Sequence, residues 1–430
     1  LIYDFSIPFL SSTIPIRIIF ITSFTVSILS AIGLEWWITE KDKRKTLVGI
    51  LLSLLIFIGI GSFIYYSTVN SLKISSFPDN WYFISARNFV IPLGVAIGSI
   101  LVLLLGQYFI KAKKFLGAIL IIALFSSSFL FAHKYIAFSD KKFLYPGHPL
   151  IGFIKENQGL YRYWGYGSAA IPNNFATVYK IYSPEGYDPV NIGYYNELLS
   201  SSRNGQYEGA FSRSDALLYA VTEFPFEDIN DTRYRIMDIL GVKYIGFEKG
   251  ELLKIEKARL DLARFEKIWE KDNFIVFENK NVFPRVYLAD RFVLRTTREE
   301  STSAIYYQNI DLQNTVISSQ YMTIEGNKSQ GSARILSYSP NRVAVETKSE
   351  GSKILVLSDA YFPGWKAKIN GVETKIYRVN HALRGIIISP GRNTILFYYF
   401  PPSFYAGILI SSVSLAIAGF VYFRSRKNVN

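Results

Sequence analysis

Five long apolar stretches constrain the fold of this sequence more than any other feature. A helix that crosses the hydrocarbon core of a bilayer needs about 20 predominantly apolar residues. Stretches of that length cover about residues 16–37, 46–66, 89–110, 115–135 and 404–423. Only 19% of the 430 residues are charged and 50% are hydrophobic, which is more apolar than a typical soluble domain. The sequence therefore predicts a membrane α-helical bundle, with four helices in residues 1–137 and a fifth in residues 403–430.

Short basic segments indicate how these helices are oriented in the membrane. Lysine and arginine collect in loops 38–45 and 111–114 and in the C-terminal tail, and helix parity places all three segments on one side. The positive-inside rule makes that side the cytoplasm and leaves residues 138–403 extracytoplasmic. Acidic and basic residues nearly balance within residues 138–403, so the net charge of +13 reflects the cytoplasmic segments. We therefore predict membrane lipid as a partner and no nucleic acid.

The chain has no cysteine and only three histidines, which excludes several classes of site. Disulfide bonds, thiolate catalysis and cysteine zinc sites need residues that it lacks, and three scattered histidines do not make a paired metal site. We therefore predict no metal site in these residues. Glycine-rich phosphate loops and serine-hydrolase motifs are also missing from the sequence. The chain begins at Leu1 without a methionine, and we interpret it as the C-terminal part of a longer multi-pass protein.

The extracytoplasmic segment is long enough for two domains. Residues 138–283 mix helical and strand patterns, which predicts an α/β domain. Its expected short elements are helices at 190–201, 212–221 and 231–240, a strand at 242–247, and a hairpin over 265–277. Residues 284–402 carry short strands separated by turn residues, a spacing typical of an antiparallel β-sandwich. Asn370-Gly371 is the strongest hairpin signal among them. The fold class is thus a membrane α-helical bundle plus an α+β extracytoplasmic region that ends in an antiparallel β-sandwich.

An ordered series of motifs gives the second half of the chain a family resemblance. Residues 355–367 have the sequence LVLSDAYFPGWKA, and further motifs follow at 370–371, 377–380, 383–385, 390–391 and 397–401. Upstream, matching motifs lie at 186–189, 240–244, 278–279 and 284–285. From about Tyr161 to its end, the chain resembles the YfhO-like bacterial membrane proteins. It departs from their pattern at Asn370, where the family tends to have aspartate, and a tight turn tolerates this exchange.

The resemblance implies a polytopic protein similar to the GT-C glycosyltransferases. Such enzymes take sugar from a polyprenyl-phosphate donor and transfer it to a cell-envelope glycan acceptor on the outer face, lipoteichoic acid being one associated polymer. Their catalytic acidic residue lies in the first outer loop, near the N-terminus of the full protein. That loop is not part of this sequence, so no catalytic residue is predicted in this chain. The cofactor stays open, and a divalent cation in the full-length protein is one option.

Aromatic faces and planar polar groups are the side chains that bind a sugar. The candidates for substrate binding are Arg162, Tyr163, Trp164, Tyr187, Asp188, Asp359, Trp365, His381 and Arg384. Structural roles are the alternatives: a core strand for the first three, a turn for Asp188 before its proline, and the sandwich core for Trp365. A lone histidine such as His381 is more often structural than chemical. Asp79 and Arg87, at the expected outer membrane face, are candidates for binding a lipid phosphate.

Two classes of function remain open from the sequence. The first is the C-terminal portion of a membrane glycosyltransferase, whose helices hold the polyprenyl chain and whose outer domains position the acceptor. The second is a non-catalytic, membrane-anchored envelope protein whose β-sandwich binds polysaccharide or a protein partner. The genomic sequence upstream of Leu1 discriminates them, because further helices with an acidic outer loop favour the enzyme.

Overall fold

The chain forms two compact units, Leu1–Tyr145 and Pro146–Asn430. The computed structural model describes residues 19–72, 80–135, 140–172, 174–188, 191–209, 215–219, 234–256, 264–307, 309–324 and 329–427. Within these ranges the first unit is helical. The second unit combines several β-sheets, short helices and one long terminal helix.

Four long helices make up the described part of the first unit. They are α1 (Ile19–Thr39), α2 (Lys43–Leu72), α3 (Asn80–Tyr108) and α4 (Lys113–Tyr135). Asp42 caps the start of α2, because its carboxylate accepts a hydrogen bond of 2.8 Å from the backbone N–H of Arg44. Lys113 links the start of α4 to the end of α1. Its ammonium donates to the backbone carbonyls of Trp37 at 2.9 Å and Glu40 at 2.6 Å.

Four helices in the described part of the chain are long and apolar enough to cross a membrane. They cover Ile21–Thr39, Val90–Tyr108, Ile110–His133 and Pro402–Arg424. The first, third, fourth and fifth predicted stretches are thereby confirmed in length and composition. The second stretch lies within α2, which is helical but is not among these four. Several side chains of α2 lie outside the described residues, so the span predicted at residues 46–66 stays a prediction.

The helices of the second unit are mostly short. They are α5 (Pro149–Asn157), α6 (Phe175–Tyr179), α7 (Gly193–Ser200), α8 (Arg235–Ile239), α9 (Lys249–Glu256), α10 (Arg298–Ser303) and α11 (Pro402–Lys427). Helices α7 and α8 lie within two of the three predicted helical segments. The helix predicted at 212–221 is wrong where the structure describes it, because Asp215 and Ala216 form a strand. That strand pairs with Gly186–Tyr187, and pairing with another part of the chain overrides weak local propensity.

Seventeen strands lie in the described part of the second unit, and they form four sheets. Chain order gives β1 (Arg162–Gly165), β2 (Gly186–Tyr187), β3 (Asp215–Ala216), β4 (Val242–Glu248), β5 (Phe265–Lys271), β6 (Phe274–Asn279), β7 (Val286–Ala289), β8 (Arg291–Leu294), β9 (Thr315–Ser318), β10 (Gly331–Ser339), β11 (Arg342–Ser349), β12 (Lys353–Ala360), β13 (Trp365–Ile369), β14 (Val372–Thr374), β15 (Tyr377–Val379), β16 (Leu383–Ile388) and β17 (Gly391–Tyr399). The strand predicted at 242–247 and the hairpin predicted over 265–277 are confirmed as β4 and as the β5–β6 pair.

The sheets differ in size and in strand direction. A four-stranded sheet has the order β1-β4-β6-β5, with β1 parallel to β4. A five-stranded antiparallel sheet has the order β10-β11-β17-β13-β14, and a six-stranded sheet has the order β7-β12-β16-β15-β9-β8. Residues 284–402 were expected to form antiparallel strands only. This expectation is wrong at one pair in that range, since β8 and β9 are parallel. A parallel pair needs a crossover connection, and the segment containing α10 supplies it.

The Asn370-Gly371 hairpin is confirmed as the link between β13 and β14. Ile369 pairs with Val372 across it. The turn residues Asn370 and Gly371 have φ values of 50° and 87°. Positive φ at both central residues is what a tight type I′ hairpin requires, and asparagine followed by glycine supplies it at low cost.

The five- and six-stranded sheets share one hydrophobic core. It contains Val343, Val345, Ala367, Ile395 and Phe397 from the five-stranded sheet, and Val286, Leu355, Leu357, Ile386 and Ile388 from the six-stranded sheet. Buried residues alternate along β11, as period-2 strand geometry demands when one face is covered. A second core joins the four-stranded sheet to the other face of the six-stranded sheet, through residues such as Phe247, Ile354 and Leu383. The domain boundary predicted at residue 283 stays a prediction.

Candidate functional site

A buried aspartate surrounded by three arginines lies in the interior of the second unit. Asp359, near the end of β12, has only 7% of its surface exposed. Its Oδ1 lies 2.7 Å from Arg285 Nη2 and 3.4 Å from Arg162 Nη2, and its Oδ2 lies 3.1 Å from Arg384 Nη2. The Tyr338 hydroxyl donates to the same carboxylate at 3.1 Å. We call Asp359, the three arginines and Tyr338 the arginine cluster.

Strand order brings the members of the arginine cluster together. In the six-stranded sheet β12 lies between β7 and β16. Asp359 therefore has Arg285, which directly precedes β7, on one side and Arg384 of β16 on the other. Arg162 begins β1 of the four-stranded sheet and donates to Ser358 Oγ at 3.1 Å. Tyr338 lies on β10 of the five-stranded sheet, so the cluster joins three sheets whose strands are far apart in the sequence.

Aromatic rings cover the flat faces of two of the guanidinium groups. The centre of the Arg384 guanidinium lies 3.8 Å from the ring centroid of Trp365, which begins β13 of the five-stranded sheet. The Arg285 guanidinium lies 5.3 Å from the Tyr182 ring and 5.1 Å from the Tyr338 ring. An aromatic face attracts a cation and leaves the in-plane N–H groups of the guanidinium available for hydrogen bonds. The rings therefore fix the planes in which these arginines donate.

The electrostatics of the arginine cluster favour an ionised Asp359. Burial alone would favour the neutral acid, but the guanidinium groups of Arg285, Arg384 and Arg162 outweigh burial and hold the pKa of this carboxyl below its usual value. Burial lowers the pKa of the Arg384 guanidinium, and the charge of Asp359 opposes that shift. The cluster is thus one anion among three cations in a dry part of the fold.

Four of the residues predicted to bind substrate meet at this place. Arg162, Asp359 and Arg384 belong to the arginine cluster, and Trp365 stacks on it. Arg285 and Tyr338 were not singled out as site residues from the sequence. Arg285 had a usable signal, because the Pro284-Arg285 pair is one of the motifs of the resemblance. Tyr338 had none beyond its place at the end of a predicted strand.

The other predicted site residues lie elsewhere. Tyr163 is buried and donates from its hydroxyl to the Ala169 carbonyl at 2.6 Å, and buried Trp164 donates from its indole to Glu185 at 2.9 Å. Both rings therefore have their polar atoms paired inside the core. Tyr187 and Asp188 are exposed, at the edge of the two-stranded sheet formed by β2 and β3. Residue Asp79 and the side chain of Arg87 lie outside the described residues.

His381 lies in a second buried polar cluster, at the turn between β15 and β16. Its Nε2 lies 2.8 Å from Glu197 Oε2, and its Nδ1 lies 2.8 Å from Ser301 Oγ. Arg298 pairs with the other oxygen of Glu197 at 2.7 Å. The order serine, histidine, carboxylate resembles a hydrolytic triad, but Ser301 and His381 are each only 2% exposed. In this conformation the cluster joins α7, α10 and the turn, and it leaves a substrate no access to the serine.

The buried imidazole predicts a pH dependence of stability. Burial lowers the pKa of His381 below its ordinary value of 6.5, and the cationic Arg378 and Arg298 lower it further, while Glu197 opposes the shift. Because the unfolded chain binds this proton more readily than the folded chain, the free energy of unfolding should fall as the pH drops below about 6.5. We expect His381→Asn to flatten that part of the profile, because the variant lacks the titrating imidazole. Asparagine is chosen because it tolerates the positive φ of this residue.

Urea denaturation at a series of pH values between neutrality and mild acid measures this effect. The comparison is the slope of the unfolding free energy against pH, so a constant loss of hydrogen bonds in the variant does not disturb it. Equal slopes for the original protein and His381→Asn would show that His381 is not the titrating group.

A cavity in the described part of the second unit has a volume of about 730 Å³. Residues with amide, carboxylate and aromatic side chains are among those that line it: Lys280, Asn281, Phe283, Asp311 and Gln313. Planar hydrogen-bonding groups beside an aromatic ring are the side chains that bind a sugar. None of these residues was a candidate from the sequence. Among the described residues, no group of three or more histidines and acids is arranged to hold a metal ion.

Comparison with known proteins finds a family match for a segment that contains three members of the arginine cluster, Tyr338, Asp359 and Arg384. Residues 319–411 match the family described as bacterial membrane protein YfhO. A protein of Bacillus subtilis (strain 168), described as uncharacterized protein YfhO, is 33% identical over 132 residues. That alignment covers 30% of this chain and 14% of the relative, so the chain corresponds to a small part of that protein. No solved structure matches the chain.

The matched segment coincides with a defined part of the fold. It runs from β10 to β17 and enters α11, and it contains Asp359, Trp365 and Arg384. The motifs named between residues 355 and 401 therefore belong to the two sheets that share a core. The upstream motifs at 186–189, 240–244, 278–279 and 284–285 lie outside the matched segment. The chain thus resembles the family of bacterial membrane protein YfhO over residues 319–411, and four of its described helices are apolar enough to cross a membrane.

Proposed function

We propose that the chain is the C-terminal portion of a membrane glycosyltransferase of GT-C type. It transfers sugar from a polyprenyl-phosphate donor to a cell-envelope polymer, a lipoteichoic acid or another glycan, on the outer face. The resemblance of residues 319–411 to bacterial membrane protein YfhO and the four apolar helices support this proposal. In it, loops 38–45 and 111–114 and the C-terminal tail are cytoplasmic, and residues 138–403 are extracytoplasmic.

One observation carries the proposal. Three residues of the segment that matches the family, Asp359, Trp365 and Arg384, contact one another in one buried cluster. Arg162 and Arg285, from earlier in the chain, complete that cluster. We interpret the two sheets that share a core as a β-sandwich. The arginine cluster then joins this sandwich to the four-stranded sheet as a rigid body for holding an acceptor.

The cavity of about 730 Å³ supplies a place for an acceptor sugar. Asn281 and Gln313 are exposed residues that line this cavity, and their side-chain amides are of the kind that bind sugar hydroxyls. Phe283 offers an aromatic face in the same wall. The chain then binds and positions the acceptor. In the proposal, a carboxylate from residues outside this sequence acts as the general base that takes the proton of the acceptor hydroxyl.

Sugar transfer is tested by incorporation of label from a polyprenyl-phosphate donor into envelope polymer. Deleting the full-length gene should reduce labelling to background, and the unaltered gene should restore it. The double variant Asn281→Ala, Gln313→Ala should weaken the apparent affinity for the acceptor about tenfold, since two hydrogen bonds of about 0.5–1.5 kcal/mol each are lost. The control is Gln320→Ala, an exposed amide on the same unit that does not line the cavity.

The outcomes test glycosyl transfer and the role of the cavity separately. Undiminished labelling after deletion of the gene contradicts a glycosyltransferase. Loss of labelling on deletion, with the double variant fully active, retains the transferase and removes the cavity from its acceptor site.

The alternative is a non-catalytic envelope protein that binds polysaccharide or a protein partner. The same cavity favours it, because the polar and aromatic wall suits a glycan whether or not a transfer follows. Binding of envelope glycan to the purified protein, together with unchanged labelling in the deletion strain, would select this function.

A further inference from the structure

Four exposed aromatic side chains lie together where β17 ends and α11 begins. Phe362, Phe400, Phe404 and Tyr405 are 41%, 42%, 60% and 47% exposed. The rings of Phe400 and Tyr405 stack with their centroids 4.5 Å apart, and the Phe404 ring lies edge-on to Tyr405 at 5.6 Å. Single exposed apolar residues are normal on a protein surface, whereas a contiguous group of them marks an interaction surface. We call these four residues the aromatic patch.

The turn that carries Phe362 is held against the junction between β17 and α11. The backbone N–H of Phe400 donates to the Gly364 carbonyl at 2.8 Å. Gly364 has a φ of 100°, and a Cβ at this position would come within 3.3 Å of Pro401. The Phe362 ring lies 6.5 Å from the ring of Tyr399, the last residue of β17. The fold therefore fixes Phe362 beside the first residues of α11.

The length of α11 sets the height of this junction over a membrane. The apolar part of the helix covers Pro402–Arg424, which is 23 residues. At 1.5 Å per residue this span is about 34 Å long, close to the hydrocarbon thickness of about 30 Å. When α11 crosses a bilayer, both of its ends therefore lie at membrane surfaces. Only two residues separate β17 from α11, so the aromatic patch lies at the same level as the start of the helix.

Basic side chains border the aromatic patch on the outer face of β13. Ala367 belongs to the core shared by two sheets, and its neighbours Lys366 and Lys368 lie on the opposite face of the strand. The Lys366 ammonium lies 5.7 Å from the Phe400 ring centroid, and the Lys368 ammonium lies 5.6 Å from that of Tyr398. Aromatic rings enter the boundary of the acyl chains while lysines remain among the lipid phosphates, so this combination suits a membrane interface.

We propose that the aromatic patch, together with Lys366 and Lys368, is a docking surface for the lipid bilayer. The occupant is the headgroup and upper acyl region of the leaflet in which α11 begins, and Phe362 and Phe400 insert below its phosphates. Continuity with α11 selects this occupant, because a soluble partner would have to displace lipid from the start of an apolar helix. Docking holds the two sheets that share a core at a fixed height over the membrane. It requires that α11 crosses the membrane, as in the proposed function, but it needs no sugar transfer, so the two proposals can fail separately.

The test measures the depth of a fluorescent label, and the absence of cysteine from the sequence lets one introduced cysteine carry it. Pro363→Cys, an exposed position beside Phe362, is labelled in the full chain in nanodiscs of phosphatidylcholine and phosphatidylglycerol. We expect blue-shifted emission, quenching by lipids with a nitroxide high on the acyl chain, and little quenching by iodide in the water. The control is a label at Arg392→Cys, an exposed position of β17 that is about 26 Å from Phe400 along the strand. That label should show aqueous emission and full quenching by iodide.

The variant Phe362→Glu tests whether the aromatic patch, rather than α11 alone, sets this depth. Burial of a carboxylate below the phosphates is costly, so the label at position 363 should regain quenching by iodide in this variant. The label at position 392 should be unchanged, which shows that the fold is retained. Equal iodide quenching at positions 363 and 392 of the otherwise unaltered chain overturns the proposal. A label at 363 that stays protected in Phe362→Glu also overturns it, because α11 would then set the depth without the patch.

Discussion

Replacing Asp359 with alanine is expected to lower the free energy of unfolding by about 3–5 kcal/mol, because it leaves three buried guanidinium groups without their shared carboxylate. The exposure of this side chain is small, so solvent does little to screen the loss. Urea denaturation of the purified chain in detergent, followed by tryptophan fluorescence, measures the change. We expect the unfolding midpoint to move to distinctly lower urea with little change in the slope of the transition.

The matched control removes an exposed ion pair. Glu346 pairs with Arg334 at 2.8 Å, and the arginine side chain is 70% exposed. Glu346→Ala should cost less than about 1 kcal/mol, because exposed pairs contribute little. If Asp359→Ala were as stable as this control, the three arginines would have to be neutralised by something other than Asp359. That carboxylate would then not be the group that holds the arginine cluster together.

Replacing Phe397 with alanine is expected to cost a similar amount, about 3–5 kcal/mol, by leaving a cavity in the core shared by two sheets. Phe397 is fully buried, and it packs among residues such as Val345 of β11 and Ile386 of β16. Phe362→Ala is the control with the same change of side chain, because Phe362 is 41% exposed. The difference between the two variants in urea midpoint reports the lost burial of the ring together with the cavity.

Hydrogen exchange in the Phe397→Ala variant also tests the β-sandwich interpretation. If the two sheets form one cooperative unit, amides in β11 and β17 and amides in β12 and β16 should lose protection together. Loss confined to the five-stranded sheet would show that the six-stranded sheet is stabilised independently. The interpretation as a single sandwich would then have to be abandoned.

Local features of the chain were predictable because their causes are local. Length and apolar composition decide whether a helix can cross a bilayer, and four of the five stretches have the expected form. The Asn370-Gly371 hairpin follows from the positive φ that only a few residues adopt cheaply. The helix expected at 212–221 failed for the opposite reason, since β3 exists through its pairing with β2, a strand from a distant part of the sequence.

The candidate site was predictable in its members more than in its arrangement. Arg162, Asp359, Trp365 and Arg384 were singled out by their residue types and motifs, yet nothing in the sequence placed Arg162 beside Asp359. Arginine side chains are usually exposed, so the amino-acid sequence gives no sign that Arg162 is buried. Tyr163 and Trp164 were chosen because aromatic residues bind sugars. The sequence does not show that their polar atoms are paired inside the core.

The sequence by itself determined the apolar helices, the tight hairpins and the family segment, because each depends on residues that are neighbours along the chain. Only the tertiary structure decided that Asp359 faces three arginines and that one of them keeps two unpaired donors. The physical reason is strand order. Strand β12 lies between β7 and β16, and β1 packs nearby. This arrangement sets which charged side chains are buried together, and it is a property of the whole fold.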